Sequence, residues 1–439
     1  MGVFFGTDGL RGVVGEELSF DVAYKCGNAL ATLTDKPHIL IGSDTRVTGD
    51  YLTLAVASGA MSGGAFVTDL GVIPTAGVAY LTRILGADYG VVISASHNPK
   101  EYNGIKIFGK DGYKLGDEAE ERVERCFIRE KMNDFSGIGR FTRDTGFVRK
   151  YERFLLDAFE TRFNGLKIVL DCGYGAAYRI APTVFKKLGA TVIATHCAAN
   201  GLKINEKSGA LHPEVLAKKV TQSGAHLGFA FDGDADRVIA ADENGNIVDG
   251  DMILYMLANR FKEQGKLRGN AVVGTGHTNM AIERALKKRG VDFIRAEVGD
   301  KYVLKQLVER KLSLGGEQSG HIILKDLHTT GDGILTALAL TELLSTTCAK
   351  IGELFDVKLY PQTNVNVTVL DKWKIRNSET LSKAIVEKQT ELKDKGRITV
   401  RASGTEPKIR VMVESEDEKT NGRIADELVK IVKDIDKQA

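Results

Sequence analysis

The sequence predicts an α/β fold: three related α/β domains with mixed sheets, followed by a smaller C-terminal α+β domain. Two observations favour this class. Up to residue 320, short apolar runs recur, and each is followed by a polar or glycine-rich break and then a helical pattern. From about residue 361 this alternation changes to the order strand-helix-strand-strand-helix.

The first part of the chain alternates between strand and helix candidates. The strand candidates are residues 38–44, 89–96, 166–173, 227–234, 271–276 and 312–320. The helix candidates include residues 151–163, 181–190 and 278–290. Strands that alternate with helices predict parallel α/β units. The unit occurs at least three times without a sequence repeat of fixed period, so we expect the domains to be related in structure only.

The tail predicts a separate antiparallel module. It begins with NVNVTV (364–369), continues with a helical pattern (377–392), and then alternates apolar and polar residues in RVMVE (410–414). Such alternation is typical of antiparallel strands with one buried face, and a last helix is predicted to end at Lys437. These changes predict four domains: 1–147, 148–249, 250–361 and 362–439.

Composition narrows the classes of function. The chain has 439 residues, 43% of them hydrophobic, which is enough for several cores. The 60 basic and 58 acidic residues leave a net charge of +2, which argues against nucleic acid or a membrane surface as partner. The five cysteines are scattered without a CxxC pair, so neither a disulfide framework nor a zinc site is indicated. Because no signal peptide or membrane span is recognised, we expect a cytoplasmic enzyme with a small-molecule substrate.

The stretch FAFDGDADRVIAAD suggests a metal site. In an extended segment Asp232, Asp234 and Asp236 would point to one side. Three carboxylates there repel one another unless a cation lies between them, and oxygen ligands suit Mg²⁺. A solvated acidic turn is the ordinary alternative. An EF-hand is a second alternative, since Glu243 falls at the twelfth loop position, but Arg237 replaces the glycine of the sixth position and the flanks resemble strands.

The stretch VVISASHNPKEYNGIKIF (91–108) places Ser96 at the carboxyl end of a predicted strand, where α/β sheets bind ligands. A serine in this position is usually a helix cap, but Pro99 fits poorly inside a following helix. A phosphorylated Ser96 would carry about −1.5 to −2 charges and would supply an anionic oxygen to the metal site. We therefore interpret Ser96 as a phosphoryl carrier, with Lys106 or His97 as the proton carrier.

Two further stretches indicate sugar and phosphate binding. In GGEQSGHI (315–322), Glu317 and Ser319 lie on a glycine-flanked loop that suits adjacent sugar hydroxyls, although such pairs are common in turns. We assign His321 to this sugar-binding loop, in an orienting role. The stretch RASGTEPKIR offers a guanidinium fork, hydroxyls and a backbone amide for a phosphate, unless it is an ordinary turn. The phosphate donors are Arg401, Ser403, Gly404 and Thr405.

Two phosphate-handling centres in one chain predict mutase chemistry. A substrate that binds by its phosphate in the tail module would turn its free hydroxyl toward Ser96. Transfer from Ser96 gives a bisphosphate, and return of the other phosphate gives an isomer.

At this point the chain resembles the α-D-phosphohexomutase family over its whole length. The matching stretches are TDGLRG (7–12), SASHNP (94–99), NGIK (103–106), DGDADR (232–237), GEQSGH (316–321), TGDGILTAL (330–338) and RASGTEPKIRVMVE (401–414). The resemblance implies that the four domains surround one central cleft. It implies that Ser96 is the phosphoserine and that the three aspartates bind one Mg²⁺ per chain. It also implies that Arg11 and Arg237 lie near the phosphoserine, that Lys106 is an acid/base residue, and that a bisphosphorylated sugar is the activator.

Within the family, Gln318 and the stretch VGDKYV (298–303) resemble the bacterial-type branch that acts on glucosamine phosphates. We therefore expect an isomerase that interconverts glucosamine 6-phosphate and glucosamine 1-phosphate, as a monomer or homodimer. The stretch GTGHTNM (274–280) departs from the family pattern, so mannose or glucose phosphates remain alternative substrates. A metal-dependent sugar phosphatase and a non-catalytic sugar-phosphate sensor are the alternatives outside mutase chemistry.

Overall fold

The structure, a computed structural model, describes residues 9–127, 137–403 and 407–437. The chain packs as two units, which are Met1–Thr278 with Arg289–Asp356, and Asn279–Lys288 with Val357–Ala439. The larger unit holds three β-sheets and the smaller unit holds one. Among the described residues, no helix combines the length and apolar character that a membrane crossing requires.

The first sheet has six strands: β1 (Leu10–Val13), β2 (His38–Ser43), β3 (Phe66–Val72), β4 (Tyr89–Ile93), β5 (Tyr102–Gly109) and β6 (Arg140–Arg143). Its helices are α1 (Phe20–Leu33), α2 (Gly49–Ser62), α3 (Thr75–Leu85) and α4 (Asp117–Phe127). The order is β1-β5-β4-β2-β3-β6, in which β2, β3, β4 and β6 are parallel and β5 is antiparallel to β4 and β1. The central strands β2 and β4 are apolar on both faces because helices cover both sides.

The second sheet has five strands: β7 (Lys167–Asp171), β8 (Thr191–Thr195), β9 (Leu227–Phe231), β10 (Val238–Asp242) and β11 (Ile247–Val248). Its helices are α5 (Val148–Asp157), α6 (Ala177–Lys187) and α7 (Pro213–Ser223). The order is β11-β10-β9-β7-β8; β7, β8 and β9 are parallel, and β10 is antiparallel to its neighbours. The helix predicted from residue 181 begins earlier, at Ala177, and contains Pro182.

The third sheet has four strands: β12 (Ala271–Thr275), β13 (Asp292–Ala296), β14 (Leu314–Gly316) and β15 (Ile322–Leu324). The helices of this stretch are α8 (Gly250–Glu263), α9 (Met280–Lys288), α10 (Asp300–Glu309), α11 (Gly333–Thr347) and α12 (Ile351–Leu354). The order is β13-β12-β14-β15, with β15 antiparallel to β14 and the other pairs parallel. By its packing, α9 belongs to the smaller unit.

The smaller unit contains the fourth sheet, β16 (Gln362–Thr368), β17 (Gly396–Ala402) and β18 (Lys408–Ser415), in the antiparallel order β16-β18-β17. Its further helices are α13 (Lys372–Arg376), α14 (Glu379–Leu392) and α15 (Glu418–Asp436). Ile409, Val411 and Val413 of β18 pack with Ile424 and Leu428 of α15 in one apolar core. This module has the element order that the tail predicted, with α13 added.

Each sheet of the larger unit ends its parallel part with an antiparallel hairpin: β4–β5, β9–β10 and β14–β15. The connecting segments are residues 94–101, 232–237 and 317–321. The first segment carries Ser96, the second carries the three aspartates, and the third carries Glu317 and Ser319. The same position in each sheet therefore presents one predicted functional group.

The predicted fold class is confirmed, since three mixed α/β sheets precede a smaller antiparallel α+β module. The expectation of a helix after every strand run is wrong at 89–96, 227–234 and 312–320, because an antiparallel strand follows each of them. The domain boundaries near residues 147, 249 and 361 and the central cleft stay predictions.

Candidate active site

The three aspartates lie together on the turn between β9 and β10. One carboxylate oxygen from each of Asp232, Asp234 and Asp236 lies within 4.8 Å of the others. The predicted clustering is present, but the extended segment proposed for it is wrong: residues 233–236 form a turn in which Ala235 has a φ of 58°. The flanking elements are paired strands, which excludes the helix–loop–helix geometry of an EF-hand.

This carboxylate cluster is buried and short of hydrogen-bond partners. Asp232, Asp234 and Asp236 are 0%, 0% and 2% exposed, and Asp234 Oδ1 and Asp236 Oδ1 have no hydrogen-bond partner within the described part of the chain. Burial, together with the charges of Asp236 and Asp234, raises the pKa of Asp232 well above its usual range. Buried oxygens without partners cost free energy, so the three residues suit a hard cation that accepts oxygen ligands.

Ser96 contacts this cluster directly. Its Oγ donates a hydrogen bond to Asp232 Oδ2 at 2.5 Å, and the residue is fully buried. The segment after Ser96 is a turn that leads into β5, so Ser96 is not a helix cap. His97 Nδ1 lies 3.4 Å from Ser96 Oγ. The structure thus brings together the serine of the first sheet and the aspartates of the second.

Lys106 points from β5 into the same cluster. The side chain is 1% exposed, and Nζ donates to Asp234 Oδ2 at 2.8 Å and to Asp236 Oδ2 at 3.2 Å. Burial acts to raise the pKa of Asp236, but the charges of Lys106, His321 and Arg237 outweigh it and hold that pKa well below its usual range. Asp236 is therefore ionised and paired, whereas the raised pKa of Asp232 marks the carboxyl whose charge the surrounding groups do not compensate.

Two arginines lie near the Ser96 turn, the name we give to residues 94–102, from the end of β4 to the first residue of β5. Arg11 Nη1 donates to Asn98 Oδ1 at 3.0 Å, and Arg237 Nε lies 3.8 Å from Asp236 Oδ1. Burial, reinforced by Arg237 and Arg11, lowers the pKa of His97 to about 4. The His97 imidazole is therefore neutral at pH 7 and able to accept a proton.

The hairpin turn of the third sheet holds the predicted sugar-binding residues in two environments. Glu317 is partly buried; its Oε1 accepts the N–H of Gly299 at 3.1 Å, and burial raises its pKa. Ser319 is exposed. The Gln318 amide donates to Asp249 Oδ2 at 3.2 Å, which fixes the loop to the start of α8.

His321 joins this hairpin to the aspartate turn, residues 232–237 between β9 and β10. Its ring is 3% exposed and lies between Asp236 Oδ2, at 3.8 Å from Nδ1, and Asp300 Oδ2, at 3.7 Å from Nε2. Burial disfavours its charged form, but the two carboxylates outweigh burial and raise the pKa of His321. This buried position suits an orienting role and does not suit the contact with a sugar that a substrate-binding residue would make.

In the smaller unit, Arg401 of β17 lies directly opposite Arg410 of β18. Burial and the charge of Arg410 lower the pKa of Arg401. Like charges in opposed positions destabilise a sheet, so an anion between them would be favoured. Ser403 is buried, and its N–H donates to the carbonyl of Lys408 at 2.8 Å. The predicted phosphate donors Gly404 and Thr405 lie outside the described residues.

Comparison with known proteins places this site in a family. Models of the four phosphoglucomutase/phosphomannomutase domains match the chain: α/β/α domain I at residues 2–134, domain II at 146–245, domain III at 249–360 and the C-terminal domain at 363–431. A phosphoglucosamine mutase of Carboxydothermus hydrogenoformans is 45% identical, covering 98% of this chain and 99% of its own. One from Caldanaerobacter subterraneus is 47% identical with the same coverage.

The chain belongs to the phosphohexomutase family. Solved structures agree in fold: a family protein of Burkholderia thailandensis has a TM-score of 0.82 at 24% identity, covering 98% of this chain and 97% of its own. An N-acetylphosphoglucosamine mutase of Aspergillus fumigatus, solved with GlcNAc-6P and magnesium, has a TM-score of 0.69 at 19% identity, covering 99% of this chain and 96% of its own.

The sequence did not indicate several residues that the structure places around the carboxylate cluster and, separately in the smaller unit, beside Arg401. Thr75, the first residue of α3, donates its hydroxyl to Asp234 Oδ2 at 2.5 Å. Arg46 and Asn205 hold the backbone of the Ser96 turn, and Arg410 faces Arg401. For Arg46 a signal was available, because SDTR follows β2 at the carboxyl end of a parallel strand, as SASHNP follows β4. Thr75 and Asn205 carry no comparable local signal.

Proposed function

We infer that this chain is a phosphosugar mutase, an isomerase that interconverts glucosamine 6-phosphate and glucosamine 1-phosphate. Relatives named phosphoglucosamine mutase match nearly its full length at about 45% identity. The observation that carries the chemistry is the contact of Ser96 Oγ with Asp232 inside the buried carboxylate cluster.

We propose that Ser96 carries the exchanged phosphoryl group. A hydroxyl of the bound sugar phosphate attacks the phosphorus of phosphoserine 96, the bond from phosphorus to Ser96 Oγ breaks, and the sugar becomes a bisphosphate. After the sugar turns, Ser96 Oγ attacks the other phosphate and releases the isomer. Arg11, Arg237 and Lys106 supply positive charge near the transferred group, and phosphoryl transfer depends mainly on such positioning and neutralisation.

The proton of the attacking hydroxyl needs an acceptor, and the leaving oxygen needs a donor. His97 is neutral at pH 7 and lies 3.4 Å from Ser96 Oγ, which suits an acceptor. Lys106 is paired with two carboxylates and suits charge neutralisation and proton donation. Both residues remain candidates for the acid/base role.

We propose that Asp232, Asp234 and Asp236, with an oxygen of phosphoserine 96, hold one Mg²⁺ per chain. The oxygen-only donor set and the two carboxylate oxygens without partners support this assignment. When bound, the ion would neutralise charge on the transferred phosphoryl group.

For the rest of the substrate, we propose that Glu317 and Ser319 contact sugar hydroxyls, while Arg401, Ser403, Gly404, Thr405 and Arg410 bind the phosphate that is not reacting. A bisphosphorylated sugar would act as activator by phosphorylating Ser96. A cytoplasmic location and a monomeric or homodimeric state are further proposals from the sequence.

The test is a panel of glucosamine, glucose and mannose 6-phosphates, each assayed with Mg²⁺ and a trace of the matching 1,6-bisphosphate. We expect glucosamine 1-phosphate to form with the highest kcat/KM. Faster turnover of a mannose or glucose phosphate would overturn the glucosamine assignment. Release of inorganic phosphate without isomer would indicate the phosphatase, and binding without turnover would indicate the sensor.

A further inference from the structure

The Ser96 turn has a constrained backbone. Ser96 has a φ of 52°, in the left-handed region that L side chains rarely adopt. Such a conformation persists only where the surroundings over-determine it. The groups that hold the Ser96 backbone therefore decide where its Oγ points.

Arg46 supplies most of the donors to this turn. Its side chain is buried at 0% exposure and donates to four backbone carbonyls. The acceptors are Ser96 O at 3.0 Å, Asn98 O at 2.8 Å, Pro99 O at 2.5 Å and Tyr102 O at 2.9 Å. A planar guanidinium presents these donors in a fixed fork, which the point charge of a lysine does not reproduce.

The Arg46 charge is balanced by Asp44, which extends the network to the other side of Ser96. Arg46 Nε donates to Asp44 Oδ2 at 3.0 Å, and Ser94 Oγ donates to the same oxygen at 2.5 Å. The N–H of Ser96 in turn donates to Ser94 Oγ at 2.9 Å. Both the amide and the carbonyl of Ser96 are therefore tied to one buried ion pair.

Asn205, which follows the second sheet's strand β8 in the chain, donates to two of the carbonyls that Arg46 also contacts. Its amide Nδ2 donates to Ser96 O at 2.8 Å and to Asn98 O at 3.2 Å, and the residue is 7% exposed. Gly233 of the aspartate turn closes the remaining side, since a Cβ there would lie 2.5 Å from Ser96 O. The carbonyls of Ser96 and Asn98 are thus shared by Arg46 and Asn205.

We infer, on the basis of the proposed mutase function, that Arg46 and Asn205 form a clamp that positions Ser96 Oγ for phosphoryl exchange. Both residues act through the backbone of the Ser96 turn, so they are positioning residues. Because small misplacements of a reacting group cost rate more than binding, the clamp is expected to govern kcat while leaving the KM for sugar phosphates nearly unchanged.

The main test is Asn205→Gly, which removes the amide and still permits the left-handed φ of 59° at this position. Its matched control is Lys207→Gly, an exposed residue of the same loop whose φ is 48°. We expect Asn205→Gly to lower kcat by roughly 10- to 100-fold with KM and melting temperature close to those of the control. Arg46→Lys, which keeps the charge and loses the fork, should lower kcat likewise.

Because the two donors share acceptors, the double variant should lose less than the product of the single losses. Hydrogen exchange provides a readout independent of activity: amides of the Ser96 turn should exchange faster in Asn205→Gly than in Lys207→Gly. The clamp is wrong if Asn205→Gly has the same kcat and the same exchange protection as its control. It is also wrong if kcat falls only together with a higher KM and a lower melting temperature. Wild-type protein without mutase activity would refute the proposed function, whereas the exchange measurement would still decide the clamp.

Discussion

At the scale of single residues, the site is defined by an imbalance of buried charge. Lys106 approaches Asp234 and Asp236, whereas the Asp232 carboxyl accepts hydrogen bonds from Ser96 Oγ and from the backbone N–H of Arg237. Burying carboxylates without compensation is costly, and this cost explains why the pKa of Asp232 is raised. A divalent cation beside Asp232 would remove the imbalance, which connects the cluster to the proposed phosphoryl transfer.

Asp234→Asn tests this imbalance. The amide keeps the shape of the side chain but supplies one fewer anionic ligand, so we expect the Mg²⁺ concentration for half-maximal activity to rise by roughly 10- to 100-fold. The matched control is Glu243→Gln, in the turn that follows β10, at the position that an EF-hand would use. Glu243→Gln should leave the Mg²⁺ requirement unchanged. An unchanged requirement in Asp234→Asn would mean that the aspartates form only an acidic turn.

At the scale of elements, the hairpins that close the first three sheets organise the site. Each hairpin reverses the chain at the carboxyl end of a parallel strand and leaves a short turn there. The sequence predicted the strands and their polar ends because these signals are local. It missed the reversals, because the polar segments after Ile93, Phe231 and Gly316 resemble the start of a helix as much as a turn.

Around the site, too, the sequence predicts what depends on neighbouring residues and does not predict contacts between distant ones. The three aspartates lie within five consecutive residues, so their clustering could be predicted although the turn geometry could not. Asn205 lies 109 residues from Ser96, and Arg46 lies 52 residues from Asn98. Contacts of this range depend on tertiary packing, which a single sequence does not reveal. The sequence assigned His321 to the predicted sugar-binding loop, but it did not reveal that the ring is buried between two carboxylates.

In helix α6, a backbone carbonyl that lacks its helical hydrogen bond receives a donor from outside the helix. Pro182 has no N–H, so the carbonyl of Tyr178, four residues earlier, loses its helical partner. The thiol of Cys197, which follows β8, donates to this carbonyl at 2.7 Å. Cys197, to which the sequence assigned no role, therefore satisfies the helix backbone.

The hydrogen bond from the Cys197 thiol to the Tyr178 carbonyl predicts different effects for two substitutions. Cys197→Ala leaves the Tyr178 carbonyl without the thiol donor and should lower the free energy of unfolding by about 1 kcal/mol. Cys197→Ser retains a donor and should lose less. Urea unfolding of both variants measures the difference. Equal losses, or a greater loss for serine, would show that the thiol acts only through packing.

At the scale of the whole molecule, the net charge is only +2, but acidic and basic side chains are concentrated in different places. The larger unit buries three carboxylates on one turn, whereas the smaller unit opposes two guanidinium groups across β17 and β18. One centre suits a cation and the other suits an anion. In the proposed mutase function, the anion site of the smaller unit binds whichever phosphate of the sugar is not reacting.

Arg401→Ala should therefore weaken the binding of glucosamine 6-phosphate and glucosamine 1-phosphate alike. Hydrogen bonds to charged groups are worth about 1.5–3 kcal/mol, which corresponds to roughly a ten- to a hundred-fold loss of affinity. Arg423→Ala is the control, since its guanidinium is paired with Glu391 and Glu427 on the helix surface. Isothermal titration with each isomer measures the effect. A loss confined to one isomer would exclude a single shared phosphate site.

The central claim, that Ser96 carries the exchanged phosphoryl group, is tested most directly by labelling. The protein is incubated with Mg²⁺ and glucosamine 1,6-bisphosphate, and its intact mass and phosphopeptides are measured. We predict one phosphoryl group per chain, located on Ser96, which chases into sugar when glucosamine 6-phosphate is added. Ser96→Ala should remain unlabelled and inactive, whereas Ser319→Ala should still be labelled on Ser96. Mutase activity in a chain that carries no phosphoryl group on Ser96 would contradict the account.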